Sequence, residues 1–352
     1  MPHQFSIKDI ARQAGVSTAT VDRVLNDRPG VRWQTVEQVR HAVTELEGQP
    51  AQLFLAGRKL LIDVVMDAPI RFSTAVRQAL ESEFPRIGPA VFRARFHVEE
   101  RMGSATCLEV LKRIRSRGSD GVILKAVDDE AIAAEISHLR RAGIPVVTLV
   151  TDLPLSERLS YLGMDNRAAG STAAYLMANW LPDQGNQSIA VVVSRDAFRG
   201  EEEREMGFRS TIRQLAPGRV VHYLSQSDGL DLTTEEMVLD LLHRDKAVGG
   251  VYSIGGGNRG IVSAFRQARS RPCFFIGHDL VPENVQLLRS GEMNMVIHHD
   301  LKADARNCCS AIMGFHGSSV VGGKTEPSRI ELVTAYNLPV LAQERMGGGD
   351  GA

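Results

Sequence analysis

From Leu60 onward, short β-branched and aromatic runs recur with helical stretches between them: LLIDVVM, PAVFRARF, GVILKA and PVVTLV, then IAVVVS, VVHYLS, GGVYSI, CFFIGHD and MNMVIHHD. Strand, helix and strand in this rhythm demand right-handed crossovers and a mostly parallel sheet with helices on both faces. Such strands are buried on both sides and read as continuous apolar runs rather than as alternation. Nearly three hundred residues of this pattern exceed one sheet, so the fold class expected is α/β with two doubly wound lobes. Ligands of such sheets lie outside the carboxyl ends of the strands. The polar residues just after each apolar run are therefore the ones to inspect.

Composition narrows the class further. The 352 residues are 43% apolar and 24% charged with a net charge of -1. No apolar run approaches the roughly 18 residues of a membrane span, so no membrane partner is expected. The N-terminal MPHQFSIKDIARQ is polar and charged where a secretory signal would be apolar, which points to the cytoplasm. Cys107, Cys273, Cys308 and Cys309 show no CxxC spacing, and two are adjacent. Buried thiols in a reducing compartment are expected, not disulfides or structural zinc.

The first sixty residues follow a different period. Ile7, Ile10, Ala11 and Ala14 form one helical stripe, which Gly15 ends where a sharp turn needs a residue without a Cβ. Ser17 or Thr18 can cap a second helix with Val21, Val24 and Leu25 inward, and Thr35 can cap a third, with Val36, Val39, Ala42, Val43 and Leu46. Two short helices across a tight turn, braced by a third, make a helix-turn-helix. Thr18, Ala19 and Arg23 lie on the outer face of the second helix, where a major-groove reader needs a hydroxyl, a small apolar group and a guanidinium. A plain three-helix bundle with a solvated Arg23 is the alternative. Residues 1–58 hold seven Lys/Arg against six Asp/Glu, so charge alone does not decide between the two.

The string IKDIARQAGVSTATVDRVLNDRPGV resembles the headpiece of the LacI (lactose repressor) family, whose usual pattern is I-K-D-V-A-x-x-A-G-V-S-x-x-T-V-S-R-V-L-N. The resemblance implies that Thr18, Ala19 and Arg23 read bases and that Ser17, Thr20 and Asn26 contact the DNA backbone. Asp22 departs from it, standing where the family has Ser; its carboxylate would repel phosphate, accept from cytosine or orient Arg23. Residues 48–59, with GQPAQLFLAGR, fall where the family carries a hinge helix that wedges a Leu into the minor groove. Leu53 and Leu55 are the candidates, and a plain linker is the alternative.

Inspection of the strand ends yields Asp67, Arg71, Lys125, Asp128, Asp152, Asp165 and Asn166 in the first half, and Arg199, Arg204, Asn258 and Asp279 in the second. Carboxylates, amides and an Arg facing one cleft can bind vicinal hydroxyls, and Phe72 can supply an apolar wall. The ligand implied is small, polyhydroxylated and uncharged. GMDNRAAG, EEEREMGF and FFIGHD, in this order from about Leu60 to Leu341, resemble the effector domain of the same family, related to type I periplasmic sugar-binding proteins. By that resemblance Arg204 is the ligand-binding Arg, Asp279 the acid closing the last pocket strand and Asn258 the polar residue between them. His299 falls at a position where a cleft residue is common. Val150 stands where the family's sugar binders often place an Asp, with Asp152 two residues later.

Gly255, Gly257 and Gly260 spell a literal GxGxxG, with Asp279 nineteen residues beyond Gly260, a spacing that suits a dinucleotide fingerprint. No nucleophile and base pair accompanies it, so neither an enzyme nor a cofactor is expected. His298, His299 and Asp300 look like metal ligands, but neighbours on a strand point to opposite faces, so no metal site is expected. The expected organisation is a headpiece over 1–47, a hinge over 48–59, an effector-binding and dimerisation domain over 60–342 and a tail over 343–352. Lobe 1 would take about 60–163 plus 293–322, and lobe 2 about 164–292 plus 323–342. The chain then reads as a transcription regulator, a repressor in type, binding a pseudo-palindromic double-stranded operator as a homodimer, or as paired dimers, and switched by a sugar or polyol. The rival reading is a constitutive DNA-binding protein whose α/β part only dimerises.

Overall fold

The computed structural model describes residues 5–43, 57–181, 187–317 and 327–339. Near the N-terminus, α1 (Ile7–Ala14) and α2 (Thr18–Leu25) meet across Gly15, whose φ of 65° places it in the left-handed region. A third helix, α3, covers 33–43. Arg32 supplies the carbonyl that accepts from the Thr35 and Val36 amides, so Thr35 lies inside the first turn rather than capping it. Ile10, Ala11, Ala14, Val21, Val39 and Ala42 close the small core.

The first α/β sheet contains β1 (Lys59–Asp67), β2 (Val91–Glu99), β3 (Gly121–Lys125), β4 (Val146–Leu149) and β5 (Ser160–Leu162) in the order β2-β1-β3-β4-β5, all parallel. One face packs on α4 (Ile70–Glu83) and the other on α5 (Ser104–Arg117) and α6 (Glu130–Arg141). The second sheet contains β6 (Ser188–Val192), β7 (Val221–Leu224), β8 (Val248–Ser253), β9 (Phe274–His278), β10 (Met295–His298) and β11 (Glu331–Val333) in the order β11-β10-β9-β8-β6-β7. Only β11 is antiparallel there. On one face lie α7 (Asn166–Trp180) and α8 (Arg199–Leu215), and on the other α9 (Asp231–Arg244), α10 (Asn258–Gln267) and α11 (Pro282–Arg289). Each of the nine apolar runs is a strand; β5 and β11, three residues each, lie outside them.

The chain passes from the first lobe to the second after β5. It returns after β10 into α12 (Leu301–His316), which packs on α4. Because β10 is hydrogen-bonded between β9 and β11, residues 295–298 belong to the second lobe. The expected return near residue 293 thus falls about six residues too early. The apolar run at Met293 marks a strand without marking which sheet takes it. Near the crossovers, Ser328 pairs with Met164 and its amide donates to the Gly163 carbonyl at 2.8 Å. His299 bonds Asp304 at 2.5 Å, and Asp304 also accepts from Ser328.

Candidate functional site

The carboxyl ends of β1, β3, β4, β6, β8 and β9 converge on a cleft between the lobes, lined by Asp67, Arg71, Phe72 and Lys125 on one side and by Arg195, Phe198, Arg204, Asn258, His278 and Asp279 on the other, among others. Seven of the candidates read from the sequence therefore meet: Asp67, Arg71, Phe72, Lys125, Arg204, Asn258 and Asp279. Arg204 is buried on α8, held by Nε donating to Asn166 Oδ1 at 2.8 Å and Nη1 to the Ile254 carbonyl at 3.3 Å. Asn258 opens α10 and donates through Nδ2 to Asn284 Oδ1 at 2.7 Å. Asp279 follows β9 with φ 66°, a conformation that Asp tolerates better than most residues. Asn258 Oδ1 and Asp279 Oδ1 are buried acceptors without a partner among the described residues.

The remaining expected ligand residues do other work. Asp152 is clamped by Arg158, with Nη2 to Oδ2 at 2.6 Å, and accepts from Thr148 at 2.7 Å. Asp165 is the N-cap of α7, accepting from the Ala168 amide at 2.9 Å. Asn166 stands behind Arg204 as its acceptor, one layer from the cleft. His299 is wholly buried and tied to Asp304 of α12 beside the crossover. None of these four lines the cleft. Arg199, which also follows IAVVVS, pairs with Glu202 and Glu203 on its own helix.

An ion chain crosses the gap instead. Arg195, half-buried in the cleft, donates to Asp67 Oδ2 at 2.7 Å and to the Glu100 carbonyl at 3.1 Å in the first lobe, and to Asp228 Oδ1 at 2.6 Å in the second. Arg101 of the first lobe reaches Asp228 Oδ2 at 2.8 Å, and Arg71 donates to the Gly229 carbonyl at 2.7 Å. Lys125 donates to the Asp67 carbonyl at 2.8 Å and stands 3.9 Å over the Phe198 ring. Burial lowers its pKa to about 8, against the opposing pull of Glu201, Asp67 and Asp279. Burial likewise raises the Asp67 carboxyl, with Arg195 and Lys125 pulling it down. The cavity left between these side chains is ≈ 60 Å³, less than the order of 150 Å³ that takes a six-carbon ring. A sugar ring enters only when the lobes part or these side chains withdraw.

Arg195 and Asp228 went unread in the sequence, although Arg195 follows the run IAVVVS directly. What hides them is that their roles depend on the opposite lobe. The GxGxxG glycines also find a packing explanation. A Cβ on Gly255 would lie 2.3 Å from the Ser194 amide nitrogen, on Gly257 2.1 Å from Thr234 Oγ1 and on Gly260 2.0 Å from the Asp231 carbonyl. They bring the end of β8 against Ser194 and α9 against α10, while Gly256 between them admits Arg71, whose Nη2 would lie 2.1 Å from a Cβ there.

On α2, Ser17 is the N-cap, accepting from the Thr20 amide at 3.1 Å, and its hydroxyl is 2.8 Å from that of Thr20. Thr18, Ala19 and Arg23 are exposed on the outer face. Asp22 holds Asn26 Nδ2 at 2.9 Å and Arg28 at 3.0 Å, so it orients these two side chains rather than Arg23. Leu53 and Leu55 lie outside the described residues. Among the described residues no cluster of His, Cys, Asp or Glu is arranged to hold a metal ion, and no helix is long and apolar enough to cross a membrane.

Residues 6–50 match the lacI family of bacterial regulatory proteins, and residues 64–314 match the periplasmic binding protein domain. The chain belongs to the LacI family. Its relatives include the HTH-type transcriptional regulator MalR of Streptomyces coelicolor, 30% identical over 59% of each chain. Another is the ribose operon repressor of Halalkalibacterium halodurans, 24% identical over 70% of this chain and 71% of that one. The match to the first of these relatives thus spans about three-fifths of its length. Among solved structures, the glucose-galactose binding protein GanP of Geobacillus stearothermophilus superposes with a TM-score of 0.69 at 19% identity, covering 80% of this chain and 99% of that one. A LacI regulator from Bacteroides fragilis gives 0.66 at 18% identity, covering 80% and 98%. The fold is therefore that of type I periplasmic sugar-binding proteins behind a LacI headpiece, and the family comprises transcriptional regulators rather than enzymes.

Proposed function

We propose that this LacI-family chain represses transcription by binding a pseudo-palindromic operator as a homodimer, and that a small uncharged sugar or polyol bound between the lobes switches it. The observation that carries the ligand class is the pair of buried acceptors, Asn258 Oδ1 and Asp279 Oδ1, that lack a partner among the described residues and share the cleft with the Arg204 guanidinium. Acceptors that lack a hydrogen bond are costly to bury, and hydroxyl groups would satisfy them. The cleft's charges are largely offset within the protein through Asp67, Arg195, Asp228 and Arg101, which favours a neutral ligand. The printed name of one relative, a ribose operon repressor, agrees with this reading.

Dimerisation follows from function: recognition helices on two half-sites about one helical turn apart need two headpieces. Ser17, Thr18, Ala19, Thr20 and Arg23 on and before α2 would contact DNA, with Arg23 as base reader. Effector binding would change the angle between the lobes and so the spacing of the headpieces. Calorimetry of the full chain with ribose, glucose, galactose, arabinose and allose, with and without operator DNA, tests the proposal. At least one sugar should bind, and its affinity should change when operator is present, because coupling is reciprocal. Silence across the panel from a folded protein would favour the constitutive reading.

A further inference from the structure

His278, the last residue of β9, was absent from the candidate ligand residues, yet it lines the cleft while almost wholly buried. Its Nε2 lies 2.8 Å from the Tyr252 hydroxyl, and the two rings sit 5.5 Å apart, with Tyr252 stacked on Phe208 at 4.9 Å. Proton accounting assigns the tautomer. The Tyr252 hydroxyl is buried and has no other hydrogen-bond partner among the described residues, so its proton is satisfied only by donation to Nε2. The neutral ring then carries its own proton on Nδ1. Burial, helped by Arg204 and His299, holds the imidazole well below its usual pKa and keeps it neutral. Among the described residues Nδ1 has no partner, like Asn258 Oδ1 and Asp279 Oδ1 on the same wall.

We propose that His278 is a specificity-determining residue of the cleft, donating from Nδ1–H to a hydroxyl oxygen of the effector. The inference rests on the polyhydroxylated-ligand reading above. Two acceptors and one donor on one wall suit adjacent hydroxyls: one accepts from His278, and the hydroxyl protons go to Asn258 and Asp279. A ring lacking the accepting hydroxyl leaves the Nδ1 proton unsatisfied and should be rejected. Tyr252 acts as a positioning residue, through the tautomer it imposes.

Two measurements on the full chain decide the matter. First, calorimetry compares whichever sugar of the panel binds with its monodeoxy derivatives. The wild type should prefer the parent over one deoxy form by about tenfold or more. His278→Phe should weaken parent binding by a similar factor and bind that parent and deoxy pair alike, leaving its discrimination among the other deoxy forms unchanged. Tyr252→Phe should erode the same preference partway. Second, nitrogen-15 NMR of histidine-labelled wild type should show His278 protonated on Nδ1, with that nitrogen shifting on sugar addition; this stands even if a variant fails to fold. A sugar that binds the wild type while His278→Phe keeps every preference, or an Nε2-protonated ring, overturns the role of His278 and leaves the cleft reading intact. A wild type that binds no sugar overturns both.

Discussion

Arg23 is exposed on the outer face of α2, and Asp22, its neighbour, is committed to Asn26 and Arg28. A guanidinium left clear in this way can take the bidentate geometry that guanine offers. Arg23→Ala should therefore weaken specific operator binding by about 1 to 3 kcal/mol and relax selectivity at one base pair, read by fluorescence anisotropy on a set of operator variants. Unchanged selectivity would remove Arg23 from base reading. His298 makes a second prediction at this scale. Burial, with His299 beside it, lowers its pKa to about 4, while Nδ1 accepts from the Leu280 amide at 3.2 Å. The folded chain keeps this ring neutral where an unfolded chain would protonate it near its ordinary value of 6.5. Its contribution to stability is thus present above about pH 6.5 and lost as the pH falls towards about 4. Urea unfolding of His298→Asn should lose less stability than wild type between those limits, by on the order of 2 kcal/mol.

At the level of elements, two glycines set how close α7 and α8 can come. A Cβ on Gly170 would lie 1.9 Å from the Arg204 carbonyl, and one on Gly207 2.1 Å from the Arg167 carbonyl. The two helices pack backbone to backbone, and Arg204 is delivered to the cleft by that contact. Gly170→Ala should force them apart, lowering stability by about 1 to 3 kcal/mol in denaturant melts. It should also weaken sugar binding, because the Arg204 guanidinium shifts with its helix. A variant of normal stability and affinity would show that the contact has slack. The short motif EEEREMGF, with Gly207 before Phe208, already pointed to this helix in the sequence. The nine apolar runs became strands because a fully buried parallel strand writes its own signature. Three-residue β5 and β11 are too short to leave one.

For the molecule as a whole, the two lobes meet through ions rather than through a shared apolar core. Arg195 bonds Asp67 and Asp228, and Arg101 closes the chain on Asp228. Arg195 is only 15% exposed and Asp67 1%, so solvent and salt screen the pair poorly. Arg195→Met should let the lobes separate in the effector-free chain, seen as a larger radius of gyration by small-angle scattering. An unchanged scattering curve would mean that the other contacts across the gap, Arg101 to Asp228, Arg71 to the Gly229 carbonyl and the Gly200 amide to Thr151 Oγ1 at 3.0 Å, keep them together.

What the residues determined unaided was whatever has a local cause. The period of the apolar runs implied parallel sheets. Gly15 and the stripes around it implied the helix-turn-helix, and polar residues after strands pointed to Asp67, Arg71, Lys125, Arg204, Asn258 and Asp279, with Phe72 as an apolar wall beside them. The tertiary structure decided what depends on groups distant in sequence. Asn166 was withdrawn from the cleft because Arg204, 38 residues on, claims it, whereas Asp152, Asp165 and His299 are claimed by near neighbours in sequence, Arg158, the Ala168 amide and Asp304, whose reach only the folded turns reveal. Arg195 and His278 entered it because their partners, Asp67 and Tyr252, stand 128 and 26 residues away. A side chain's type is local, but whether its hydrogen-bonding capacity is spent inside the protein or left for a ligand is settled only when the sheets bring its competitors within 3 Å.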